Sequence, residues 1–277
     1  MIYAYSMYLD KMSKHWDALV MNDYEVVMPL TWNRKFGIYY LYQPFFTASL
    51  GIIGNNLNPV IIQAFLETVP EKFKFWDIYL NRENIFTVGM FSHYTRHNYI
   101  LDLCQTYENI ASGFSSNHLR NISRARQLGC TAEKNIPIEN IVALAKDQSR
   151  RFSPITTKDY QHFISLFNDL HAQQQGLTYG VYSNKNKLVA SCAFVFSHKR
   201  AYYILVGNHP DGRRLGASHF LIAQFIRDHA GQSIILDFEG SDIPSLALFY
   251  KGFGAQEEKY AALKLNKLPF IAKLFKK

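Results

Sequence analysis

The chain is poor in cysteine: Cys104, Cys130 and Cys192 are its only thiols, widely separated and outside any Cys-x-x-Cys pair, which argues against a disulfide framework or a cysteine-held zinc site. No window approaches the roughly 18 to 20 consecutive apolar residues of a membrane span, so no bilayer crossing is expected. Met1 to Trp16 mix Tyr, Asp, Lys and His without an unbroken apolar stretch or a small-residue cleavage site. A signal peptide is therefore not expected, and the cytoplasm is the default compartment. No His, Cys and carboxylate cluster has metal-ligand spacing, and no Gly-x-Ser-x-Gly elbow offers a covalent serine route. Metal-free chemistry without an acyl-serine is the expectation. No low-complexity linker interrupts the chain.

What is present is the composition of a packed protein. Hydrophobic residues make up 48% and charged residues 19% of 277 positions, far from the disordered, collagen-like or coiled-coil classes. That length suits two domains of about 100 to 150 residues each. The 21 Phe and 18 Tyr are spread along the chain, as core and cleft-wall residues are. A net charge of +8 favours anionic partners, which include nucleotide cofactors, RNA and acidic membrane surfaces alike. The tail from Lys267 to Lys277 alternates apolar Phe270, Ile271, Leu274 and Phe275 with Lys273, Lys276 and Lys277. It suits a terminal helix packing back on the body or, less simply, an interfacial helix.

Along the chain, Glu25 to Leu30 reads as a strand, Asn33 to Gly37 as a turn and Ile38 to Tyr42 as its hairpin partner. A loop follows, then Pro59 opens a helix with Ile62, Phe65, Leu66 and Val69 on one face. Phe73 to Leu80 and Asn98 to Leu103 read as strands that close a first domain, 1–110. The second, 111–277, opens with Ser115, Ser116 and Asn117 as N-cap candidates and a helix stopped by Gly129. Helical patterns from Ile138 to Arg151 and Lys158 to Gln175 flank Pro154. Tyr179 to Tyr182, Leu188 to Phe196 and Ala201 to Val206 then form an antiparallel meander. Helix Gly216 to His229, strand Ser233 to Phe238, helix Pro244 to Lys251 and strand Glu257 to Leu265 complete the chain. The fold class is α/β, and each half runs hairpin, loop, helix, strand, which suggests a duplicated unit.

The turn Asp211-Gly212-Arg213-Arg214-Leu215-Gly216-Ala217-Ser218 falls between a strand and a helix, where free N–H groups and the helix dipole attract anions. Gly216 and Ala217 leave room for a phosphate against the backbone, Arg213 and Arg214 supply charge, and Ser218 is placed to cap the helix. The alternative is an ordinary helix entry with two solvated arginines.

This order of elements, with Asp237 on the next strand and Phe249-Tyr250-Lys251-Gly252-Phe253-Gly254 closing the next helix, resembles the core of the GNAT acyltransferases. In that superfamily an Arg-x-x-Gly-x-Gly/Ala turn binds the pyrophosphate of coenzyme A, and the donor wedges between two splayed parallel strands. Arg213 and Gly216 match the turn, and Ser218 stands where Gly or Ala is usual. A closer resemblance is to the FemAB-like branch, including the BioF2-like acetyltransferases, in which two GNAT-like domains are fused. It is carried by Asn117, Arg120, Ala125 and Gly129 in the pattern Asn-x-x-Arg-x-x-x-x-Ala-x-x-x-Gly, by the Asp237 strand, and by the Tyr250 segment. Pro29 through Gly51, with Gln43-Pro44-Phe45-Phe46 and Leu50-Gly51, resembles the N-terminal domain of that branch. The long helical arm by which some members engage tRNA is missing.

The resemblance implies two tandem GNAT-like domains, the first degenerate for donor binding. It implies acetyl-CoA or another acyl-CoA as co-substrate, held by Arg213, Arg214, Leu215, Gly216, Ala217 and Ser218. The acceptor would be an amine on a small metabolite or a cell-envelope precursor, attacking directly in a ternary complex. Tyr250 would protonate the leaving sulfur. Lys251 matches a lysine found at the reacting centre of FemX-type peptidyltransferases, where a cation steadies developing negative charge. Packing against the sheet and solvation are the competing accounts of Tyr250 and Lys251. Asp237 and Glu239, one pleat repeat apart, are expected on one side of a strand, to relay the acceptor's proton or to cap backbone. Arg124 would orient an acidic acceptor or belong to a solvated helix face with Arg120 and Arg126. His209 and His219 flank the donor turn and receive no chemical role. An aminoacyl-tRNA-dependent peptidyltransferase is the second enzyme reading, and a non-catalytic module of the same fold the third. None of these features sets the oligomeric state.

Overall fold

The computed structural model describes residues 1–85, 91–149 and 154–268. Its elements are, in order, α1 (Ser6–Met12), β1 (His15–Met21), β2 (Val26–Lys35), β3 (Ile38–Tyr42), β4 (Ile53–Gly54), α2 (Pro59–Thr68), β5 (Phe73–Tyr79) and β6 (His93–Asp102). There follow α3 (Tyr107–Ser112), α4 (Ser116–Gln127), β7 (Thr131–Lys134), α5 (Ile138–Ser149), α6 (Thr157–Ala172), β8 (Gly176–Tyr182), β9 (Leu188–Ser197) and β10 (Arg200–Asn208). Last come α7 (Pro210–Leu215), α8 (Ala217–His229), β11 (Ile235–Asp237), α9 (Pro244–Lys251) and β12 (Gln256–Asn266). The described residues divide into two compact units, Tyr3–His97 together with Glu258–Leu268, and Asn98–Glu257. The sequence placed the division at 110 and gave the last strand to the second domain. Most of β12 instead joins the first unit, where Ala262 to Asn266 pair antiparallel with Phe75 to Tyr79 of β5.

In the first unit the strand order is β1-β2-β3-β5-β12. The hairpin of β2 and β3 is antiparallel, and β3 meets β5 in parallel. A parallel neighbour demands a crossover, and α2 supplies it. This helix starts where Asn58 Oδ1 accepts the Val60 and Ile61 N–H groups at 3.0 Å each, with Pro59 in the first turn. Ile62, Phe65 and Leu66 then pack with Met28, Leu30, Leu41, Trp76 and Leu263. Gly51, in the segment that resembles the FemAB-like N-terminal domain, has a φ of +74° and faces Asn84 Oδ1, 2.1 Å from where a Cβ would stand. Asn84 and Asn81 fasten this loop through the Ile52 N–H and the Leu50 and Ile52 carbonyls.

In the second unit the strands run β6-β11-β10-β9-β8-β7. Pleat alternation divides β8 between two covers. Tyr179 and Val181 join a core with Ile122 and Ala125 of α4 and Phe220, Leu221 and Phe225 of α8. Thr178 and Gly180 point the other way, where Thr178 Oγ1 donates to the Ile136 carbonyl at 2.7 Å and Gly180 lies under Ile136. The architecture is the expected α/β class, mixed sheets flanked by helices. Among the described residues no helix is long and apolar enough to cross a membrane. The basic tail falls, beyond Leu268, outside the described residues.

Candidate active site

Strand β10 pairs with β9 along its length, with a bulge between Tyr203 and Leu205. On its other side it pairs in parallel with β11 only at Arg200–Ile235, Ala201–Leu236 and Tyr202–Asp237. Strand β11 stops at Asp237, whereas β10 continues to Asn208. From Tyr203 onward β10 therefore has an edge that no strand covers among the described residues, and the bulge falls where that edge begins. Bulges re-aim side chains and end pairing, and are frequent beside active sites. An open edge of this kind can hydrogen-bond an extended ligand that carries amide groups.

Four of the sequence-predicted residues lie at or just beyond the end of β11. Tyr250 of α9 is 7% exposed, and its ring stacks on Phe238 at 4.5 Å, with Tyr99 at 6.1 Å. No hydrogen bond engages its hydroxyl among the described residues. Burial, and after it the charge of Glu239, raise the Tyr250 hydroxyl above the usual tyrosine range. Lys251 is exposed and holds its ammonium 5.4 Å from the centre of the Tyr99 ring.

Asp237 and Glu239 do not share a pleated face. Asp237 is the last residue of β11, and Glu239 lies beyond it in the left-handed region with a φ of +62°, which breaks the alternation. Their surroundings differ as well. Asp237 accepts a 2.6 Å ion pair from Arg200 and caps the Glu239 N–H at 2.8 Å. Burial raises its pKa, and Arg200 opposes that rise. Glu239 has a buried Oε1 with no hydrogen-bond partner, and burial alone lifts its carboxyl well above the usual range.

The turn expected to hold a donor's phosphates is partly helical. His209 caps α7 by accepting the Asp211 N–H at 3.1 Å, and Pro210 opens it, so Asp211 to Leu215 form one short helix. Gly216, with a φ of +74°, ends α7 and begins α8. Its bare Cα serves helix contact: a Cβ there would stand 2.4 Å from the Asn121 carbonyl of α4, so the space expected for phosphate is filled on that side. Ser218 is not a cap. It lies inside α8, with its hydroxyl donating to Asn208 Oδ1 at 2.7 Å. Arg214 is committed to Asp211 at 2.7 Å, a carboxylate that also takes Lys187 at 3.1 Å. Those two bonds hold the Asp211 carboxyl below the usual range. Arg213 is exposed with no ion pair among the described residues, and the first N–H groups of α8, at Ala217, Ser218 and His219, have no side-chain cap. An anion is favoured there.

Two of the segments that carried the resemblance meet at His118 of α4. Its ring nitrogens bond Ser115 Oγ and the Phe249 carbonyl, each at 2.8 Å. Its edge meets His219 of α8 at 4.6 Å and Phe253 at 4.4 Å. Burial lowers both histidine pKa values, His219 to about 4. Arg124 is exposed on α4, within 3.5 Å of Asn121 Oδ1. The sequence reading missed Arg200, whose role depends on the parallel register beside Asp237, and Tyr99, which reaches Tyr250 from a distant segment. Neither has a local signal.

No family model matches the sequence, and no curated protein matches it. Among solved structures the fold is similar to that of FemX, with a TM-score of 0.64 and 13% identity over 94% of this chain and 92% of the other. A protein of unknown function from Bacteroides thetaiotaomicron matches with a TM-score of 0.61 and 13% identity over 94% and 90%. The C-terminal domain of a candidate lysylphosphatidylglycerol synthetase from Agrobacterium fabrum matches with a TM-score of 0.55 and 12% identity over 94% and 86%. The fold is thus the GNAT-like arrangement that the FemAB-like resemblance implied.

Proposed function

We propose that the chain is an N-acyltransferase that moves an acyl group, acetyl in the simplest case, from acyl-CoA to an amine of a small metabolite or cell-envelope precursor. The observation that carries this reading is the parting of β10 and β11 at Tyr202 and Asp237, with the bulge of β10 at its start. The amide-bearing arm of a coenzyme A thioester can lie along the open edge of β10 as an added strand. Its pyrophosphate then falls to the uncapped N-terminus of α8 and Arg213. Gly216 and Leu215 shape that corner, Ala217 and Ser218 offer N–H groups, and Arg214 acts with Asp211 beside it. In this reading the first unit lacks a donor site of its own, and the reaction takes place in the cytoplasm.

Attack by the amine nitrogen forms the C–N bond and pushes the carbonyl pair onto oxygen; collapse expels the thiolate. Tyr250, protonated and buried, is suited to donate to the leaving sulfur, and Lys251 to steady negative charge near the reacting centre. Arg124 is the candidate for orienting an acidic part of the acceptor. Asp237, paired with Arg200, holds the end of β11.

The aminoacyl-tRNA reading is supported by the likeness to FemX and by the exposed Arg120, Arg124 and Arg126 on α4. The test is thiol release from acetyl-CoA with a panel of primary amines, beside release of the amino acid from aminoacyl-tRNA. The acyl-CoA reading expects amine-dependent thiol release that Tyr250→Phe slows by about 10²-fold or more. Turnover of aminoacyl-tRNA without thiol release would transfer the site to the second reading, and neither activity would leave a binding module.

A further inference from the structure

Glu239 is held in a manner that nothing in the resting protein rewards. Its backbone occupies the left-handed region at φ +62°, a conformation that costs a non-glycine residue about 1 to 2 kcal/mol. The Asp237 carboxylate fixes it there through the 2.8 Å bond to its N–H. The side chain then places Oε1 where solvent does not reach and no protein group donates to it. A buried polar atom without a partner is costly and rare in folded proteins.

The neighbouring groups leave that need unmet. Arg200, the half-buried cation nearby, is paired with Asp237 at 2.6 Å. The ammonium of Lys251 is exposed and lies over the Tyr99 ring. Tyr250 of α9 and Tyr203 of β10 are phenols kept neutral by burial, and Tyr99 of β6 points its hydroxyl toward Glu257 at 3.4 Å. Phe238 and Tyr250 add stacked ring faces. The missing complement is a hydrogen-bond donor for Oε1, and a donor that carries a positive charge would also hold the carboxyl ionised.

We propose that Glu239 is the receptor for the acceptor's ammonium group, so that the acceptor is a primary alkylammonium with no anionic group next to its nitrogen. This assignment rests on the acyltransferase reading and names its substrate class. An adjacent carboxylate, as in an α-amino acid, would bring like charges together at a buried site and be rejected.

The protons balance over one cycle. Glu239 rests as the neutral acid. Entry of R–NH3+ expels the Glu239 proton to solvent and leaves a carboxylate–ammonium pair. The carboxylate then takes one ammonium proton, restoring the acid and freeing the nitrogen lone pair. That pair forms the C–N bond while the carbonyl electrons move to oxygen; their return breaks the C–S bond. Tyr250 gives its proton to sulfur and takes one from the nitrogen. The sum is R–NH3+ and thioester giving amide, thiol and one proton released, the proton that left at entry.

The test is carbon-13 NMR of protein labelled at the glutamate carboxyls, titrated with pH, with propylammonium chloride and glycine as probes. One carboxyl, lost in Glu239→Gln, is expected to stay protonated at neutral pH and to titrate about 1 to 3 pH units lower with saturating propylammonium. Glycine is expected to leave it unmoved. A Glu239 carboxyl already ionised at neutral pH, indifferent to propylammonium, or equally responsive to glycine would overturn the proposal. Acetyl-CoA binding by the same wild-type and Glu239→Gln samples, expected to be equal, reports on the donor reading separately. Failure of that binding with an intact ammonium response would sink the acyl-CoA donor and leave the receptor role standing.

Discussion

A methyl group on Gly252 would stand 2.0 Å from Cε1 of His118, whose ring is pinned at both nitrogens by Ser115 and Phe249. Gly252 has an ordinary helical φ of −64°, so the demand for glycine here is one of space. Gly252→Ala is expected to destabilise the protein by about 1 to 3 kcal/mol, the usual cost of overpacking, read as a lower urea midpoint at unchanged slope. The same ring sets an acid response. His118 and His219 are neutral when folded because burial lowers their pKa, His219 to about 4, whereas an unfolded histidine titrates near 6.5. Between those values the unfolded chain binds more protons than the folded one. The contribution of His219 to stability is thus complete above about pH 6.5 and is lost as the pH falls toward 4, and His118 acts in the same direction. The melting temperature is expected to drop across that window, and less steeply in His219→Phe. An equal drop in both proteins would remove His219 from the account.

At the scale of elements, Gly216 joins α7 to α8 through a left-handed residue pressed against the Asn121 carbonyl. Gly216→Ala pays both for the backbone and for the contact, and is expected to cost about 1 to 3 kcal/mol in stability and to weaken any anion held at the start of α8. A stable variant with unchanged ligand binding would contradict this view of the corner. The same elements mark what local pattern can tell. Strand β3, α2 and α9 lie where alternation, proline and helical spacing put them, because each is set by neighbours in sequence. The short α7 escaped because Asp-Gly-Arg-Arg reads as turn chemistry, and only Pro210 and the His209 cap hint at a helix. Helix α1 and strand β1 have little sequence signal, since only Leu19 and Met21 of β1 pack against the core and His15, Asp17 and Val20 are exposed. Ser218 was read as a cap from its type, but its hydroxyl is taken by Asn208, a contact that spacing does not encode.

For the whole molecule, chain length led to the expectation of two domains split near 110; the structure divides into two compact units at other bounds, with the last strand paired in the first. Strand pairing between residues so far apart leaves no periodic trace, so β12 was assigned by proximity in sequence. The candidate site was legible as far as its residue types: Tyr250, Glu239 and Arg213 stand out in the sequence, whereas the parting of β10 and β11, the bulge and the pairing of Asp237 with Arg200 belong to the fold. The excess of +8 suits an anionic donor and, equally, RNA. What separates them is calorimetric titration of the intact protein with acetyl-CoA and with CoA, beside the double substitution Arg213→Ala, Arg214→Ala. The acyl-CoA account predicts binding at about micromolar concentration, about −8 kcal/mol, weakened tenfold or more by the double substitution; no heat with either ligand would contradict it.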